Sequence, residues 1–447
     1  MAAWGSEFST PFVLTGAIAL WGIAGFLVLW YESPNHTVWR ERVQRLLRWL
    51  STGGRREWID VWRLSLAAAV AYAVGAIVNG LLGSYGCPSG PSDATTLSTS
   101  GQAFLGGRDP FTIAACGTTG NPVPAGLASV LIDSIGSLAG VVGILIVWGA
   151  ISVAIIPLLW ALSERDRRLT TIWVLASFLY LPIVAVQVDG ASLALVPMTI
   201  LLTIYLARRG WPRAAAIGGF LSTGRFVSLF PVLASTGRAG PRRIVAFSLA
   251  LGVFAAVTGI TVAIYGSQFT GPVFFLQFGR GGYSLNYWGI LQGTGWLVPS
   301  AAVTAIQAGL TVALVAVAWR WGRSAIGSAA LVLTGTLLLA QFLTYPELIF
   351  LLPLALLGTR IRWWLWAIGL VGISNYLLAV QSFSELGGSP IPSYGLDLIL
   401  TGLLLALFLH LLRTEIGGRK AAALSGPVAP AARSSDWSAT ERTLPTE

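Results

Sequence analysis

Apolar stretches of about 20 residues recur along the whole chain, separated by short segments that carry arginine, glycine or proline. A helix of about 20 apolar residues is long enough to cross the ~30 Å hydrocarbon core of a bilayer. The pattern therefore predicts an all-α, polytopic transmembrane helical bundle within residues 1–416. Its predicted spans, about eleven, lie near residues 11–30, 63–83, 137–162, 170–187, 190–207, 243–265, 297–319, 325–343, 347–358, 363–381 and 396–412.

One segment, residues 213–236, breaks this pattern. Arginines flank it on both sides, and its apolar run is interrupted by Ser222-Thr223-Gly224-Arg225 and by Pro231. Non-helical backbone at membrane depth is tolerated only where it is buried in protein or lines a cavity. The segment is therefore predicted to form a re-entrant pair of half-helices.

The segments outside the predicted spans differ in character. The long first outer loop, 84–136, is rich in Gly, Ser, Thr and Pro, and its last part, 124–136, has the pattern of a short amphipathic helix lying at the interface. A second outer loop, 266–295, carries aromatic residues. The basic stretch 34–62 is typical of an amphipathic helix on the inner leaflet. Residues 417–447 lack periodicity and are predicted to form a disordered cytoplasmic tail.

Composition and charge agree with a membrane protein. Hydrophobic residues make up 55% of the chain and charged residues only 10%, against roughly a quarter in soluble domains. The net charge of +10 is spread over short loops rather than one face, which excludes nucleic-acid binding. On the predicted topology only Arg108 and Arg280 face outward, so the positive-inside rule places the N-terminus outside and the C-terminus inside. Lys420 is the only lysine, which is typical of a GC-rich prokaryote and hence of its cytoplasmic membrane.

The two cysteines, Cys87 and Cys116, both fall in the first outer loop. A disulfide between them would persist on an oxidising face, and closing a roughly 30-residue loop would stabilise the fold by about 3–4 kcal/mol. Two free thiols at the membrane interface are the alternative. No His, Cys and carboxylate cluster has metal-ligand spacing, so neither a metal site nor a divalent metal requirement is expected.

Candidate chemistry begins in the first outer loop. Asp93 lies about ten residues after the second predicted span. A carboxylate there can take a proton from a hydroxyl, or it can start a turn or cap a short helix. Arg108 and Asp109 follow in a Gly-Gly-Arg-Asp-Pro turn, in which Arg108 can meet an anion.

Three further charged residues lie at predicted membrane positions. Arg225 separates two apolar half-helices, and it needs an anion or water because unpaired burial of a charge is costly. A lipid phosphate, a structural carboxylate or snorkelling to the inner face would each satisfy it. Asp189 lies in a polar hairpin between two spans. Glu347 follows Pro346 at the start of a span, where the helix dipole favours an acid.

Three stretches together resemble a known family. They are DATTLSTSGQAFLGGRDPF from Asp93, residues 186–233 around Arg225, and QFLTYPELIFLLPLALL at 341–357. In this order they are similar to GT-C-type integral-membrane glycosyltransferases, specifically the polyprenyl-phosphate-mannose-dependent glycosyltransferase family 87. Arg225 stands where that family commonly has Lys, and Glu347 where it commonly has His.

The resemblance implies a GT-C-like fold and an inverting transfer of a sugar, with mannose first, from a polyprenyl-phosphate donor to a lipid or glycan acceptor on the outer face. Asp93 would be the general base, and no cofactor is expected. Arg280, Arg225 and Arg108 would bind the donor phosphate. The expected substrate-binding residues are Asp109, Asp189, Asn286, Tyr287, Tyr345 and Glu347.

Three alternatives remain on the sequence alone. A GT-C transferase could use a different lipid-linked pentose or hexose. A secondary transporter or flippase of a polar or anionic solute could use the broken helix as its substrate site, with Arg225 as counter-charge. A non-catalytic scaffold could keep the fold without a base. The long outer loop and a carboxylate outside the bilayer favour the transferase, because a transporter more often places its charges near the midplane.

Overall fold

The computed structural model describes residues 93–113, 121–122, 126–163, 192–211, 213–266, 301–340, 351–358 and 394–417, together with residue 41, positions between 62 and 77, and residues 287, 288 and 291. This part of the chain is helical apart from one short strand pair, so the predicted all-helical class is confirmed. The strands are β1 (Thr112–Ile113) and β2 (Asn121–Pro122), which pair antiparallel. The helices are α1 (Asp93–Leu105), α2 (Leu127–Ser137), α3 (Gly140–Leu162), α4 (Leu195–Arg208), α5 (Ala214–Ser222), α6 (Leu229–Thr236), α7 (Arg243–Tyr265), α8 (Ala301–Trp321), α9 (Ala325–Leu339), α10 (Leu351–Gly358) and α11 (Tyr394–Leu412).

Within the described residues, three stretches of helix are long and apolar enough to cross a membrane by length and composition: Gly140–Leu162, Gly240–Tyr265 and Leu398–Ile416. Other predicted spans appear as shorter apolar helices. For example, α9 ends at Leu339, because the backbone of Ala340 turns to an extended conformation. The predicted spans near 11–30, 170–187 and 363–381 lie outside the described residues.

The polarity of α2 is the reverse of that in a water-soluble helix. Its buried side chains include Ser129, Asp133, Ser134 and Ser137, whereas Ile135 is 65% exposed. The exposed apolar stripe continues past the end of the helix and along α3, through Leu138, Val142 and Ile146. Large exposed apolar surfaces of this kind mark contacts with a membrane or a partner.

The sequence places an interfacial amphipathic helix at 124–136, and the structure has α2 in that stretch. The polar side of α2 packs inward against α1 and α3, and its place at a membrane interface stays a prediction. Gly101 of α1 allows this close approach. A Cβ at Gly101 would come within 2.4 Å of the Asp133 backbone oxygen.

Helices α5 and α6 form a broken pair. Gly218 of α5 lies against Thr203 of α4, and Gly237, just after α6, lies against the Trp319 backbone near the end of α8. Both outer ends of the pair adjoin arginine-bearing turns, with Arg213 before α5 and Arg238 after α6. The nine residues of α5 span about 14 Å, which is about half the ~30 Å hydrocarbon core of a bilayer. The re-entrant course expected from the sequence stays a prediction.

The large apolar core surrounds this pair. It joins buried side chains from α3, α4, α6, α9 and α11, such as Ile156, Ile200, Val232, Leu331 and Leu404. A smaller cluster packs α1 against α3, with Leu97, Ile144 and Trp148 at its centre. The core thereby fixes the break in the α5–α6 pair relative to α2, where the polar side chains collect.

The packed part of the chain extends to a π-helical turn, Arg413–Gly417, after α11. Glu415 Oε2 accepts hydrogen bonds from the backbone N–H groups of Arg323 (2.9 Å) and Ser324 (3.0 Å), at the start of α9. Ser324 caps the same helix, because its Oγ accepts from Gly327 N at 2.9 Å. These bonds hold the end of the described chain on the α8–α9 turn.

Candidate functional site

A buried polar site forms where the start of α2 meets the break between α5 and α6. We call it the junction site and define it by Ser129, Asp133, Trp148, Ser192 and Arg225. The backbone N–H of Gly126 donates to Gly224 O (3.1 Å), and Ser129 Oγ donates to the same oxygen (3.1 Å). The Gly224 carbonyl oxygen at the helix break therefore accepts two hydrogen bonds from the start of α2, and a buried backbone carbonyl needs such partners.

Two glycines make this approach possible. A Cβ at Gly126 would lie 1.6 Å from Thr223 O, which is a severe overlap with backbone. At Gly224 it would lie 2.5 Å from Leu195 Cδ2 and 2.9 Å from Ser129 N. Because neither position accommodates a side chain, the contact between the outer-loop helix and the broken pair depends on the absence of a Cβ at both.

Arg225 lies at the break itself, with extended backbone (φ −145°, ψ 101°) between α5 and the 3₁₀ turn Phe226–Ser228. Its guanidinium donates from Nε (3.1 Å) and from Nη2 to Ser192 Oγ, in the turn that precedes α4. The hydroxyl of Ser228 donates to the Arg225 carbonyl oxygen at 2.7 Å. These bonds orient a planar, permanently charged group that can bind a phosphate or carboxylate through two parallel hydrogen bonds.

Asp133 is fully buried, one turn after Ser129 on α2. Its Oδ1 accepts from Trp148 Nε1 at 2.9 Å. Within the described residues its Oδ2 has no hydrogen-bond partner. A buried acceptor without a partner costs free energy, and protonation of the carboxyl reduces that cost.

Burial raises the pKa of Asp133 from 3.8 to about 8, against the opposing effects of the Trp148 hydrogen bond and the positive charge of Arg225. The carboxyl is therefore mostly protonated at neutral pH, as expected for an acid removed from water. A neutral Asp133 places no negative charge beside Arg225. In this form Asp133 does not repel a phosphate that approaches the junction site.

This pKa predicts that the folded protein loses stability as pH rises. Between pH 4 and pH 8 the folded state keeps a proton on Asp133 that the unfolded chain has released, so stability falls across that window. We expect the unfolding midpoint in detergent to drop on the order of 5 °C from pH 5 to pH 8.5. Asp133→Asn keeps an oxygen for Trp148 and carries no charge, so it should remove most of that drop.

The matched control for this measurement is Asp109→Asn, which alters a half-buried carboxylate in the outer turn. We expect it to keep the wild-type dependence of the unfolding midpoint on pH. An equal drop in wild type and Asp133→Asn would show that Asp133 does not hold the proton.

The outer-loop candidates form a separate, compact unit. Asp93 is the first residue of α1. At the other end of that helix, Ser100 Oγ donates to Pro110 O (2.8 Å), and Asp109 Oδ1 accepts from Phe111 N (2.9 Å). Arg108 is exposed in this turn. The bond to Phe111 gives Asp109 a role in closing the turn, and its expected substrate contact stays a prediction.

Tyr287 is the one other proposed site residue in the described part of the chain. Its backbone N–H donates to Thr401 Oγ1 of α11 at 2.9 Å, and its ring lies 5.0 Å from that of Trp288. Burial raises the pKa of the Tyr287 phenol to about 12, so it is a proton donor rather than a base at neutral pH. The remaining candidates lie outside the described residues, and so does the proposed disulfide: Cys87, Cys116, Asp189, Arg280, Asn286, Tyr345 and Glu347.

Asp133 was missed as a site residue by reasoning from the sequence, although a signal was present. It is the only charged residue between Asp109 and Glu164, and a lone acid in so long an apolar stretch is costly without a purpose. Its partner Trp148 carried no signal, because tryptophan is ordinary in an apolar helix. Among the described residues no group of three or more His, Cys, Asp and Glu side chains could hold a metal ion.

Comparison with known proteins gives no relative: no protein-family model, curated protein or solved structure matches the chain.

Proposed function

We propose that this protein is an inverting, GT-C-type glycosyltransferase that moves a sugar, with mannose as the first candidate, from a polyprenyl-phosphate donor to a lipid or glycan acceptor. The observation that carries the proposal is the position of α2. This helix packs on α1, which begins at Asp93, and bonds through Gly126 and Ser129 to the break that bears Arg225. It thereby links the two stretches that carry most of the family resemblance.

The proposed chemistry needs one base and one anion-binding group. Asp93 takes the proton of an acceptor hydroxyl, whose oxygen then forms a bond to the anomeric carbon. The bond from that carbon to the phosphate oxygen breaks, and polyprenyl phosphate leaves with the electron pair. Because a phosphate is a good leaving group, a second carboxylate is not needed as it is in glycosidases. Arg225 stabilises the departing anion, together with Arg280 and Arg108.

The finer topology belongs to the same proposal. About eleven spans and the broken α5–α6 pair form the catalytic domain, residues 1–416, followed by a cytoplasmic tail. The N-terminus and the active site face outward from the cytoplasmic membrane of a prokaryote. The outer-loop unit around α1 then meets the acceptor, and the lipid donor reaches Arg225 from within the bilayer.

Transfer of labelled sugar tests the proposal directly. Membranes that express the protein would be incubated with polyprenyl-phosphate mannose, and label in the lipid and glycan fractions would be compared with membranes lacking the protein. We expect expression-dependent transfer. Polyprenyl-phosphate pentose, tested in parallel, decides which sugar the donor site accepts. Absence of transfer from every donor would overturn the assignment.

A transporter or flippase is the second candidate, because one observation favours it. Arg225 lies at a helix break beside a carboxyl that can gain or lose a proton, and many secondary transporters bind their substrates at broken helices. Uptake of anionic solutes into proteoliposomes separates the candidates. Uptake that depends on Arg225, without sugar transfer, would favour the transporter.

A further inference from the structure

An apolar groove lies between α6, α7 and α8, and none of the residues that define the junction site lines it. It encloses about 290 Å³ and is lined by apolar side chains, among them Leu229, Leu233, Phe247, Leu251, Val315 and Trp319. One wall is open, since Leu251 and Val312 are largely exposed. A groove with this lining suits hydrocarbon rather than water.

Arg243 lies at one end of the groove, and three further arginines are close to its lining residues in the sequence. The guanidinium of Arg243 lies 5.1 Å from the ring centroid of Trp319, whose ring contacts Phe247 at 5.8 Å. Arg238 and Arg242 belong to the same α6–α7 turn, and Arg320 follows Trp319 in the chain. The turn from 237 to 243 contains no acidic residue. The apolar groove therefore lies beside a turn rich in arginine.

Glu415 is a carboxylate at the α8–α9 turn, which follows Arg320 in the chain. Glu415 accepts the backbone N–H groups of Arg323 and Ser324, and it is held there by the cap of α9. The exposed side chains of Arg242 and Arg320 and the half-buried side chain of Arg243 suit a negatively charged partner.

We propose that this groove binds one anionic phospholipid from the arginine-rich side of the bilayer. Its acyl chain fills the groove against Leu233, Leu251 and Val315, and its phosphate meets Arg242 and Arg243. Basic pockets between transmembrane helices bind anionic lipid head groups in this manner. The inference is independent of sugar transfer, because the groove lies on α6–α8 and uses no residue of the proposed reaction.

Lipid binding by the purified protein tests the proposal. Phosphatidylglycerol and phosphatidylcholine with identical chains would be titrated in detergent, and bound lipid would be counted by native mass spectrometry. We expect phosphatidylglycerol to bind more tightly. Arg242→Gln combined with Arg243→Gln should weaken it about 25-fold, at about fivefold for each arginine near the surface. Glycerol phosphate, which has the charge without the chains, should not displace the lipid.

Two matched controls separate a site from general attraction. Arg209, like Arg243, lies over an aromatic ring, that of Tyr205 at 5.5 Å, but it does not line the groove. The affinity for phosphatidylglycerol should therefore change less than twofold in Arg209→Gln. Ala316→Phe fills the groove without altering charge and should weaken binding, whereas Ala256→Phe, on an exposed part of α7, should not. Equal loss in Arg209→Gln, equal binding of both lipids, or full binding by Ala316→Phe would each overturn the proposal.

Discussion

Asp93→Asn is expected to lower sugar transfer at least a hundredfold at matched expression. Asparagine keeps the size of the side chain but cannot accept the proton of the acceptor hydroxyl, and general-base help is worth about 10²–10⁴ in rate. Binding of the donor should change little, because the base acts on the acceptor in the transition state. The measurement is the initial rate of label transfer from polyprenyl-phosphate sugar, with the KM for the donor determined separately.

The control for this variant is Glu441→Gln, which neutralises a carboxylate in the predicted tail. It should keep wild-type transfer, and both variants should keep the wild-type unfolding midpoint at pH 6. Undiminished transfer by Asp93→Asn would remove Asp93 as the base and direct attention to Glu347. A loss of transfer accompanied by a lower unfolding midpoint would instead show that Asp93 supports the fold at the start of α1.

Arg225→Gln should give the second largest effect, a loss of transfer on the order of a hundredfold. Removal of one group that stabilises developing negative charge typically costs 10²–10³ in rate, and here the whole charge at the helix break is lost. Arg225→Lys should lose less, because it keeps a positive charge but not the planar pair of N–H donors. We expect the KM for the donor to rise in both variants, since the donor phosphate is charged before it leaves.

Arg209→Gln serves as the control here as well, because it neutralises an exposed arginine at the end of α4. Its transfer rate should stay within twofold of wild type. If Arg225→Gln retains transfer within threefold, Arg225 does not bind the donor phosphate, and Arg280 becomes the leading candidate. If Arg225→Gln abolishes solute uptake in a protein that transfers no sugar, the transporter is the better assignment.

The helical elements of this protein could be predicted well from local pattern. The predicted span at 243–265 coincides with α7, and that at 396–412 lies within two residues of α11. Runs of apolar residues determine such helices because each helix satisfies its own backbone hydrogen bonds. The sequence was less informative about length: α9 is shorter than its predicted span of 325–343. The count of eleven spans, the disulfide and most site residues stay predictions.

The candidate site shows where sequence reasoning stops. Arg225 could be singled out, because an arginine between two apolar half-helices is costly wherever the chain places it. The hydrogen bonds from Arg225 to Ser192 could not be predicted, because the turn before α4 offers several polar residues of similar kind. Asp133 was assigned to an interfacial amphipathic helix, and its burial beside Trp148 is evident only from the packing of α2.

The sequence by itself therefore determined the apolar helices and the interruption at Arg225, whereas the expected bias of arginines to one side of the membrane stays a prediction. Each is a property of neighbouring residues and of their cost in hydrocarbon. Only the tertiary structure decided that the start of α2 meets the helix break, through a hydrogen bond between residues 95 positions apart. That contact depends on the absence of a side chain at Gly126 and Gly224. The sequence shows that a residue is glycine, but not which distant backbone segment packs against it.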